Sequence, residues 1–301
     1  NLKLDWNYKG LSSEKLVSQE RNVCGVYYKY HNDDRDYLSE TGDDTENLEA
    51  KTDWVAFKHQ YFSSILSSSE GFDHNNSSLE IKVLGSEKYT KHYLANLNVS
   101  KPITANTSIP MQFYFGPNDY EILAARGNDQ DEIINLGWGI FGWVNKIMII
   151  PIFNVLNSIG LHIGALIILL TLVIRLIILP LTYKNYKSSA KMRVLKPEVE
   201  KINEKYKDGK DNMKKQQETM ALYRSTGVNP MAGCVPMLIQ MPILFAAFRF
   251  FPASLDLRQK AFLWAEDLSA YDAVLTWEAP IPFLSSIYGN HMSLFTILIC
   301  I

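Results

Sequence analysis

The segment that most constrains the fold is IGALIILLTLVIRLIILPLTY, residues 163–183. It contains 21 residues and a single charged side chain, Arg175. At about 1.5 Å per residue, a helix of this length crosses the roughly 30 Å hydrocarbon core of a membrane. A helix inside a soluble protein is rarely apolar on every face over such a length. The stretch therefore predicts a transmembrane helix at 163–183.

Charge is distributed unevenly on either side of this helix. Residues 1–135 carry 13 Lys+Arg and 21 Asp+Glu, residues 184–228 carry 12 basic and 6 acidic residues, and the whole chain has a net charge of -2. Because basic loops stay in the cytoplasm, we expect 184–228 to be cytoplasmic and 1–135 to lie outside. No signal peptide precedes the outer region in this sequence, so an upstream anchor is expected.

Two apolar segments extend the membrane part after the basic block. Residues 229–251 carry a single charge and contain Pro236 and Pro242. Prolines are tolerated in membrane helices where neighbouring groups satisfy the freed carbonyls, so a second transmembrane helix is predicted at 229–251. A third apolar run at 292–301 predicts the start of a next transmembrane helix, with further spans expected after it. The segment 252–291 is then a loop on the outer side.

Residues 136–160 precede the first transmembrane helix and have a mixed character. Trp138 and Trp143 suit the headgroup zone, and polar residues such as Asn145 interrupt the apolar surface. This pattern favours an amphipathic helix in the outer interface, broken at Pro151. A further full transmembrane helix is the alternative.

Arg175 is the most informative residue of the membrane part. A charge within a transmembrane helix costs at least about 2.5–3.5 kcal/mol, so it normally faces protein or water. Thr171 lies four residues earlier on the same helix face, and Gln240 is a second polar side chain within an apolar segment. Together they predict a hydrophilic cavity in the inner half of the membrane. The simpler interpretation is that Arg175 snorkels to the cytoplasmic surface.

The outer region, residues 1–130, is predicted to be a β-rich domain. Alternating apolar residues bounded by turn-forming residues indicate strands at Val23–Tyr30, Trp54–Phe62, Leu79–Val83, His92–Val99 and Met111–Phe115. Asn75–Ser78 is predicted to be a turn or loop. Cys24 is the only cysteine of this region, so no internal disulfide is expected. The four histidines show no catalytic or metal-ligand spacing and are predicted to lie on the surface: His31, His59, His74 and His92.

The basic block 184–228 is predicted to be a helical hairpin. One stripe consists of Leu195, Val199, Ile202 and Tyr206, and the facing stripe of Met213, Met220 and Tyr223, with a turn at 207–210. The charges either solvate this helix pair or form a docking surface for anionic headgroups, a ribosome or a targeting factor. Both interpretations remain open on the sequence.

Several ordered motifs make the chain resemble the YidC family of membrane protein insertases over about 136–301. The motifs are IRLIILPLT at 174–182, AKM at 190–192, ALY at 221–223, NPMAGCVPMLIQMP at 229–242, LR at 257–258 and WAEDLS at 264–269. WVAFKHQYF at 54–62 and FGP at 115–117 resemble the end of the periplasmic domain of Gram-negative members. The resemblance implies a partial β-supersandwich domain in the periplasm, followed by a helical bundle in the bacterial inner membrane.

The family resemblance also implies a mechanism. Arg175 would lie in a groove that is open to the cytoplasm and to lipid, with Thr171 and Gln240 lining it and with Met241 and Leu244 contacting the client's hydrophobic segment. The implied partners are nascent membrane proteins, the Sec translocon, membrane lipids and, through 184–228, the ribosome and targeting factors. No specific nucleic-acid sequence, cofactor, metal ion or catalytic residue is implied.

Two other classes of function compete with insertion. A transporter or channel subunit would use Arg175 as an ion or substrate site, but it predicts further charges within the membrane or inverted repeats. A membrane-anchored carbohydrate enzyme is suggested only by the shape of the outer domain, and it needs a cluster of histidines or carboxylates. We therefore expect a protein that is not an enzyme.

Overall fold

The computed structural model describes residues 2–100, 108–206, 211–227, 235–277 and 290–300, and it divides into two compact units. The first unit comprises Asn1–Leu136 together with Phe251–Ile301, and the second comprises Gly137–Phe250. Strands dominate the first unit and helices the second. The predicted fold class, a β-rich domain followed by an α-helical membrane part, is thereby confirmed.

Eight antiparallel strands form the β-domain of the first unit. They are β1 (Leu2–Leu11), β2 (Gly25–Tyr30), β3 (Arg35–Tyr37), β4 (Asp44–Asn47), β5 (Thr52–Lys58), β6 (Phe62–Val83), β7 (Tyr89–Val99) and β8 (Met111–Pro117). The strand order is β1-β7-β6-β5-β2-β3, and β4 and β8 also pair with β6. The short helix α1 (Val17–Arg21) joins β1 to β2, and α2 (Tyr120–Arg126) follows β8.

The long strand β6 organises this domain. Its first half pairs with β5 and β8, and its second half pairs with β7 and β4. Between the halves Gly71 has φ +71°, a left-handed conformation that favours glycine. The predicted loop at Asn75–Ser78 is wrong, because these residues belong to β6. They form an irregularity of the β6–β7 register between Asp73 and Ser78, where Asn76 has φ 57°, and such bulges suit asparagine.

The two halves of the sheet enclose one hydrophobic core. Val55 and Phe57 from β5 pack in the same cluster as Ile81 from β6 and Leu97 from β7. Alternating side chains from both layers thus fill a sandwich. The β-domain also contains a largely buried ion pair, in which Lys58 Nζ lies 3.7 Å from a Glu40 carboxylate oxygen. Burial lowers the pKa of the Lys58 ammonium, because desolvation disfavours its charged form.

The remaining strands and helices follow the β-domain along the chain. The helices are α3 (Ile140–Val144), α4 (Ile150–Ser158), α5 (Ile163–Val194), α6 (Lys196–Lys205), α7 (Asn212–Ser225), α8 (Val235–Ala253) and α9 (Leu294–Cys300). Two short strands, β9 (Leu275–Thr276) and β10 (His291–Met292), pair with one another. Among the described residues, Ile140–Ser158 and Ile163–Val194 are long and apolar enough to cross a membrane, and Met237–Ala253 is a shorter apolar helix.

The helix at 163–183 does not end at the predicted boundary. α5 has 32 residues in all and ends at Val194. It therefore extends well into the segment 184–228, which was predicted to be a separate hairpin. No glycine or proline lies between residues 183 and 194, so nothing in the backbone chemistry ends the helix when its surface changes from apolar to basic. Pro197 lies in the first turn of α6, where a proline is tolerated.

Residues 140–158 form a continuous helix rather than one broken at Pro151. The helix widens into a π-turn at Asn145–Ile149, directly before Pro151. Because proline lacks an N–H group and its ring crowds the preceding turn, this widening accommodates it without a break. The position of this helix in the outer interface stays a prediction.

The hairpin consists of α6 and α7, and it is joined by polar contacts. Lys205 Nζ and Tyr206 Oη both donate to Glu218 at 2.8 Å. These two donors lower the pKa of the Glu218 carboxyl. The predicted facing stripe is wrong at Met213 and Met220, which are 76% and 40% exposed.

The half-buried residues of α7 include Glu218, Thr219, Leu222 and Tyr223, so the helix is turned from the predicted phase. Its apolar residues do not define one face strongly, and the polar contact to Glu218 joins it to α6. The predicted turn at 207–210 lies outside the described residues.

Candidate functional site

α5 carries the first two predicted site residues on one face. Thr171 and Arg175 are one helical turn apart and both are exposed. The Thr171 hydroxyl donates to the Ile167 carbonyl of its own helix at 2.9 Å. Within the part of the chain that the structure describes, Arg175 has no hydrogen-bond or ion-pair partner. Its guanidinium is therefore available to a group from outside these residues.

The surroundings of Arg175 are apolar. Leu172, Leu176 and Leu179 are exposed on the same helix, and no other charged residue occurs between His162 and Lys184. A cation on such a surface is unfavourable in hydrocarbon unless water or an anion reaches it. The geometry thus provides one positive charge on the otherwise uncharged stretch 163–183 of α5.

α8 carries the other three predicted site residues. Gln240, Met241 and Leu244 are exposed, Met241 by 38% and Leu244 by 48%. Met237 and Phe248 are also exposed and continue the same stripe at spacings of four, three and four residues. We call Met237, Met241, Leu244 and Phe248 the open face of α8. It is an apolar surface with one amide, Gln240, beside it.

The opposite side of α8 is packed against the helix 140–158. The buried Phe250 meets Phe153 with ring centroids 5.1 Å apart, while Phe245, which is 45% exposed, meets Phe141 at 5.4 Å on the flank of the open face. The buried Asn145 side chain, which lies in the π-turn, donates to the Ala246 carbonyl at 2.9 Å. A polar bond of this kind fixes the rotation of a helix in apolar surroundings, so it determines which side of α8 remains open.

The structure brings the predicted residues together only within each helix. No hydrogen bond, ion pair or ring contact joins Thr171 or Arg175 to Gln240, Met241 or Leu244 among the residues it describes. The groove between them therefore stays a prediction. Sequence reasoning missed Asn145 as a contact between helices, and only the presence of an asparagine in an apolar segment pointed to it.

The described part of the β-domain offers no candidate metal site. No group of three His, Cys, Asp or Glu side chains there has metal-ligand geometry. The prediction that all four histidines lie on the surface is wrong for His59, whose ring packs against Tyr93 with centroids 5.4 Å apart. His59 Nδ1 lies 3.9 Å from Cys24 Sγ, but burial raises the pKa of that thiol to about 11. A thiol with so high a pKa is a poor nucleophile at neutral pH.

A polar cleft lies between the β-domain and the loop that follows α8. It encloses about 400 Å³ and is lined by Ser13, Glu14, Lys15, Arg258, Trp264 and Asp272, among others. Two contacts close it: Arg258 Nε donates to Glu14 at 2.9 Å, and Lys15 Nζ lies 4.6 Å from the centre of the Tyr271 ring. These residues were not among the predicted site residues, because their partners are distant in the sequence.

Two protein-family models match the chain in succession. The model described as the YidC periplasmic domain matches residues 11–151, and the model described as the 60Kd inner membrane protein matches residues 154–301. The boundary between them falls close to the end of the helix at 158. The order of the two matches agrees with a β-domain followed by a helical membrane part.

Curated relatives match nearly the whole chain. Proteins named membrane protein insertase YidC are 42% identical over 304 residues in Bacteroides fragilis and 43% identical over 309 residues in Porphyromonas gingivalis, in each case over 99% of this chain. The relative in Amoebophilus asiaticus is 40% identical over 95% of this chain. The matches cover 48%, 49% and 47% of those relatives, so the chain spans about half the length of the curated relatives it matches. With both family models and these relatives in agreement, the chain belongs to the YidC family.

Proposed function

We propose that this chain is part of a membrane protein insertase, which inserts and folds nascent inner-membrane proteins through a hydrophilic groove open to the cytoplasm and to lipid. The observation that carries the proposal is an exposed Arg175, without a partner among the described residues, on the apolar stretch 163–183 of α5, in a chain whose relatives are named insertases. The relatives give no support to a transporter or channel subunit.

Arg175 supplies the electrostatic part of the proposed mechanism. A client's polar tail has to leave water to cross the membrane, and a desolvated charge costs several kcal/mol or more. A guanidinium inside a water-filled groove offers that tail fixed hydrogen-bond donors in place of bulk water. Thr171 and Gln240 would add neutral polar contacts along the path, which lowers the barrier without any nucleotide.

The open face of α8 supplies the apolar part. Met241 and Leu244 are exposed, while the opposite side of the helix is held by the contact of Phe250 with Phe153 and by the hydrogen bond from Asn145 to the Ala246 carbonyl. A client's hydrophobic segment can therefore lie against this face without disturbing the packing of α8. Its transfer from water into lipid is favoured by about 25 cal/mol per Å² of apolar surface.

The basic hairpin and the β-domain supply the proposed orientation. In this orientation α6 and α7 lie in the cytoplasm and residues 1–135 in the periplasm, so the protein crosses the inner membrane several times. We expect the basic surface at 184–228 to contact ribosomes, targeting factors and anionic lipids, and the membrane part to act alone or beside the Sec translocon. The proposed mechanism includes no chemical reaction, so the protein would not be an enzyme and would require no cofactor.

The first test replaces Arg175 in the intact protein reconstituted in vesicles. Arg175→Ala should lower the insertion of clients with acidic tails several-fold, and Arg175→Lys should retain part of it because the positive charge remains. Arg193→Ala is the matched control, since Arg193 is an exposed arginine on the same helix. Insertion is measured as protease protection of the translocated tail. Equal protection for every variant would refute the role of the charge.

The second test places a photocrosslinking residue on α8. A nascent client should crosslink from Met241 and Leu244 but not from Phe250, which is buried against Phe153. Crosslinks of equal yield from all three positions would contradict the open face as the client surface.

A further inference from the structure

A buried carboxylate shapes the loop after β1. The Glu20 side chain in α1 is only 1% exposed and accepts hydrogen bonds from the backbone N–H groups of Ser13 and Glu14 and from the hydroxyls of Ser12 and Ser13, at 3.1–3.3 Å. A carboxylate with this many donors holds the loop in one conformation. The loop therefore presents the neighbouring Glu14 side chain in a fixed position.

Glu14 receives Arg258 from the loop that follows α8. Arg258 Nε donates to Glu14 at 2.9 Å and Nη2 donates to the Ser13 carbonyl at 3.4 Å. The guanidinium also lies over the Tyr61 ring, 5.6 Å from its centre. Both members of the pair are largely shielded from water, with side-chain exposures of 22% for Arg258 and 14% for Glu14. A shielded pair with hydrogen bonds and an aromatic contact is stronger than an open surface pair.

The loop that carries Arg258 is itself rigid. Asp267 accepts from the backbone N–H groups of Gln259 (3.0 Å) and Ser269 (2.8 Å), which closes the loop on itself. Asp272 accepts from the N–H groups of Leu294 and Phe295, which are the first residues of α9. Asp272 therefore ties residues 254–277, which we call the outer loop, to the first turn of α9.

We propose that Glu14 and Arg258 are the positioning pair through which the β-domain holds the outer loop. The surface formed by Ser13, Glu14, Lys15 and Tyr61 is then a docking surface whose partner is the chain's own outer loop. Lys15 over the Tyr271 ring is the second contact of the same surface. The β-domain would thereby act as a brace that holds the outer loop, and through Asp272 the first turn of α9, beyond any contact that it makes with clients.

A charge-swap experiment on the intact protein tests this proposal. Glu14→Gln and Arg258→Gln should each speed hydrogen exchange of the amides in 258–272 about tenfold, because a shielded, charged hydrogen bond is lost. The double variant should be no faster than either single variant, since both remove one interaction. The reversed pair, Glu14→Arg with Arg258→Glu, should recover most of the protection.

Two neighbouring substitutions serve as controls. Glu87→Gln and Lys260→Gln change exposed charges of the same kind in the same unit, and they should leave exchange in the outer loop unchanged. Exchange in β5 and β7 should also stay unchanged in every variant, which separates release of the loop from general unfolding. Unaltered exchange of 258–272 in both single variants, or no recovery in the reversed pair, would overturn the proposal.

A second readout addresses the consequence for activity and rests on the proposed insertase function. Insertion of a model client should fall in the single variants and recover in the reversed pair. Faster hydrogen exchange of the outer loop without any change in insertion would refute a role for the Glu14–Arg258 pair in activity. Arg175→Ala, measured in the same vesicles, reports separately whether the insertase function itself fails.

Discussion

Replacing Asp272 is expected to loosen the first turn of α9. Its carboxylate accepts hydrogen bonds from the backbone N–H groups of Leu294 at 2.8 Å and Phe295 at 3.2 Å. It also accepts from the Ser293 hydroxyl and from the Trp264 indole N–H. Asp272 thus acts as a helix cap although it lies 22 residues before Leu294.

The magnitude follows from the contacts that the substitution removes. Loss of a side-chain cap costs about 1 kcal/mol, and loss of a negative charge at a helix N-terminus costs about 0.3–1 kcal/mol more. A change of 1–2 kcal/mol raises the opening equilibrium roughly 5–30-fold. We expect this factor for Asp272→Ala and a smaller one for Asp272→Asn, which keeps one acceptor oxygen.

The Asp272 carboxylate should also make the stability of the folded protein depend on pH. Burial alone would raise the pKa of Asp272, but the hydrogen bonds from Ser293, Phe295, Trp264 and Leu294 outweigh it and lower the pKa. Because the folded pKa lies below the unfolded one, the stabilisation is fully present above about pH 4 and is lost as the pH falls through the folded value. Asp272→Asn should remove this contribution.

Hydrogen exchange of the Leu294 and Phe295 amides at neutral pH measures the effect directly. Thermal unfolding between pH 3 and 6 then tests the loss on acidification in the original protein and in Asp272→Asn. Glu266→Gln is the control, because Glu266 is an exposed carboxylate of the same loop. If both amides exchange in Asp272→Ala as slowly as in the original protein, the capping argument is refuted.

Four further predictions concern single positions. Gly71→Ala should destabilise the β-domain by about 1–2 kcal/mol in denaturant unfolding, because φ is +71° and the added methyl would lie 2.5 Å from the Lys51 side chain; Gly42→Ala, with open space around it, should be nearly neutral. Lys58→Met should remove a rise in stability as the pH increases towards the unfolded lysine pKa of about 10.4, since burial lowers the folded pKa of Lys58 and the unfolded state then binds more protons. Asn145→Leu should lower the free energy of unfolding of the helical part by about 0.6–2 kcal/mol in a thermal shift assay. Fluorescence of Trp143 should be quenched more by shallow than by deep brominated lipids if the helix lies in the interface.

The helices and strands with strong local patterns could be predicted from the sequence. An apolar run such as 163–183 identifies its helix because membrane crossing depends on length and composition alone. Alternation likewise predicted the strands around Val26 and Leu97. β1 was missed, because most of its side chains are exposed and only its pairing with β7 defines it. Boundaries were less predictable, as α5 shows by continuing to Val194.

The contacts between distant parts of the chain could not be predicted from the sequence. Glu14 and Arg258 are separated by 244 residues, and Asn145 and Ala246 by 101. No local pattern indicates which charged residues form a pair, because a paired charge and a solvent-exposed one are the same residue types in the sequence. The phase of α7 was wrong for a related reason, since Met213 and Met220 are equally compatible with an apolar or an exposed face.

The division of α8 into two faces has a consequence for client selection by the proposed insertase. Apolar groups in lipid gain little from contact with another apolar surface, because hydrocarbon already solvates them. Met241 and Leu244 would therefore offer a client segment an apolar contact surface that discriminates little between one apolar sequence and another. Discrimination between clients then has to come from polar groups, where an unmatched partner in low dielectric is costly. Arg175 carries the only charge of the apolar stretch 163–183, so the charge and length of the client's tail, rather than the sequence of its hydrophobic segment, should govern how strongly insertion depends on this protein.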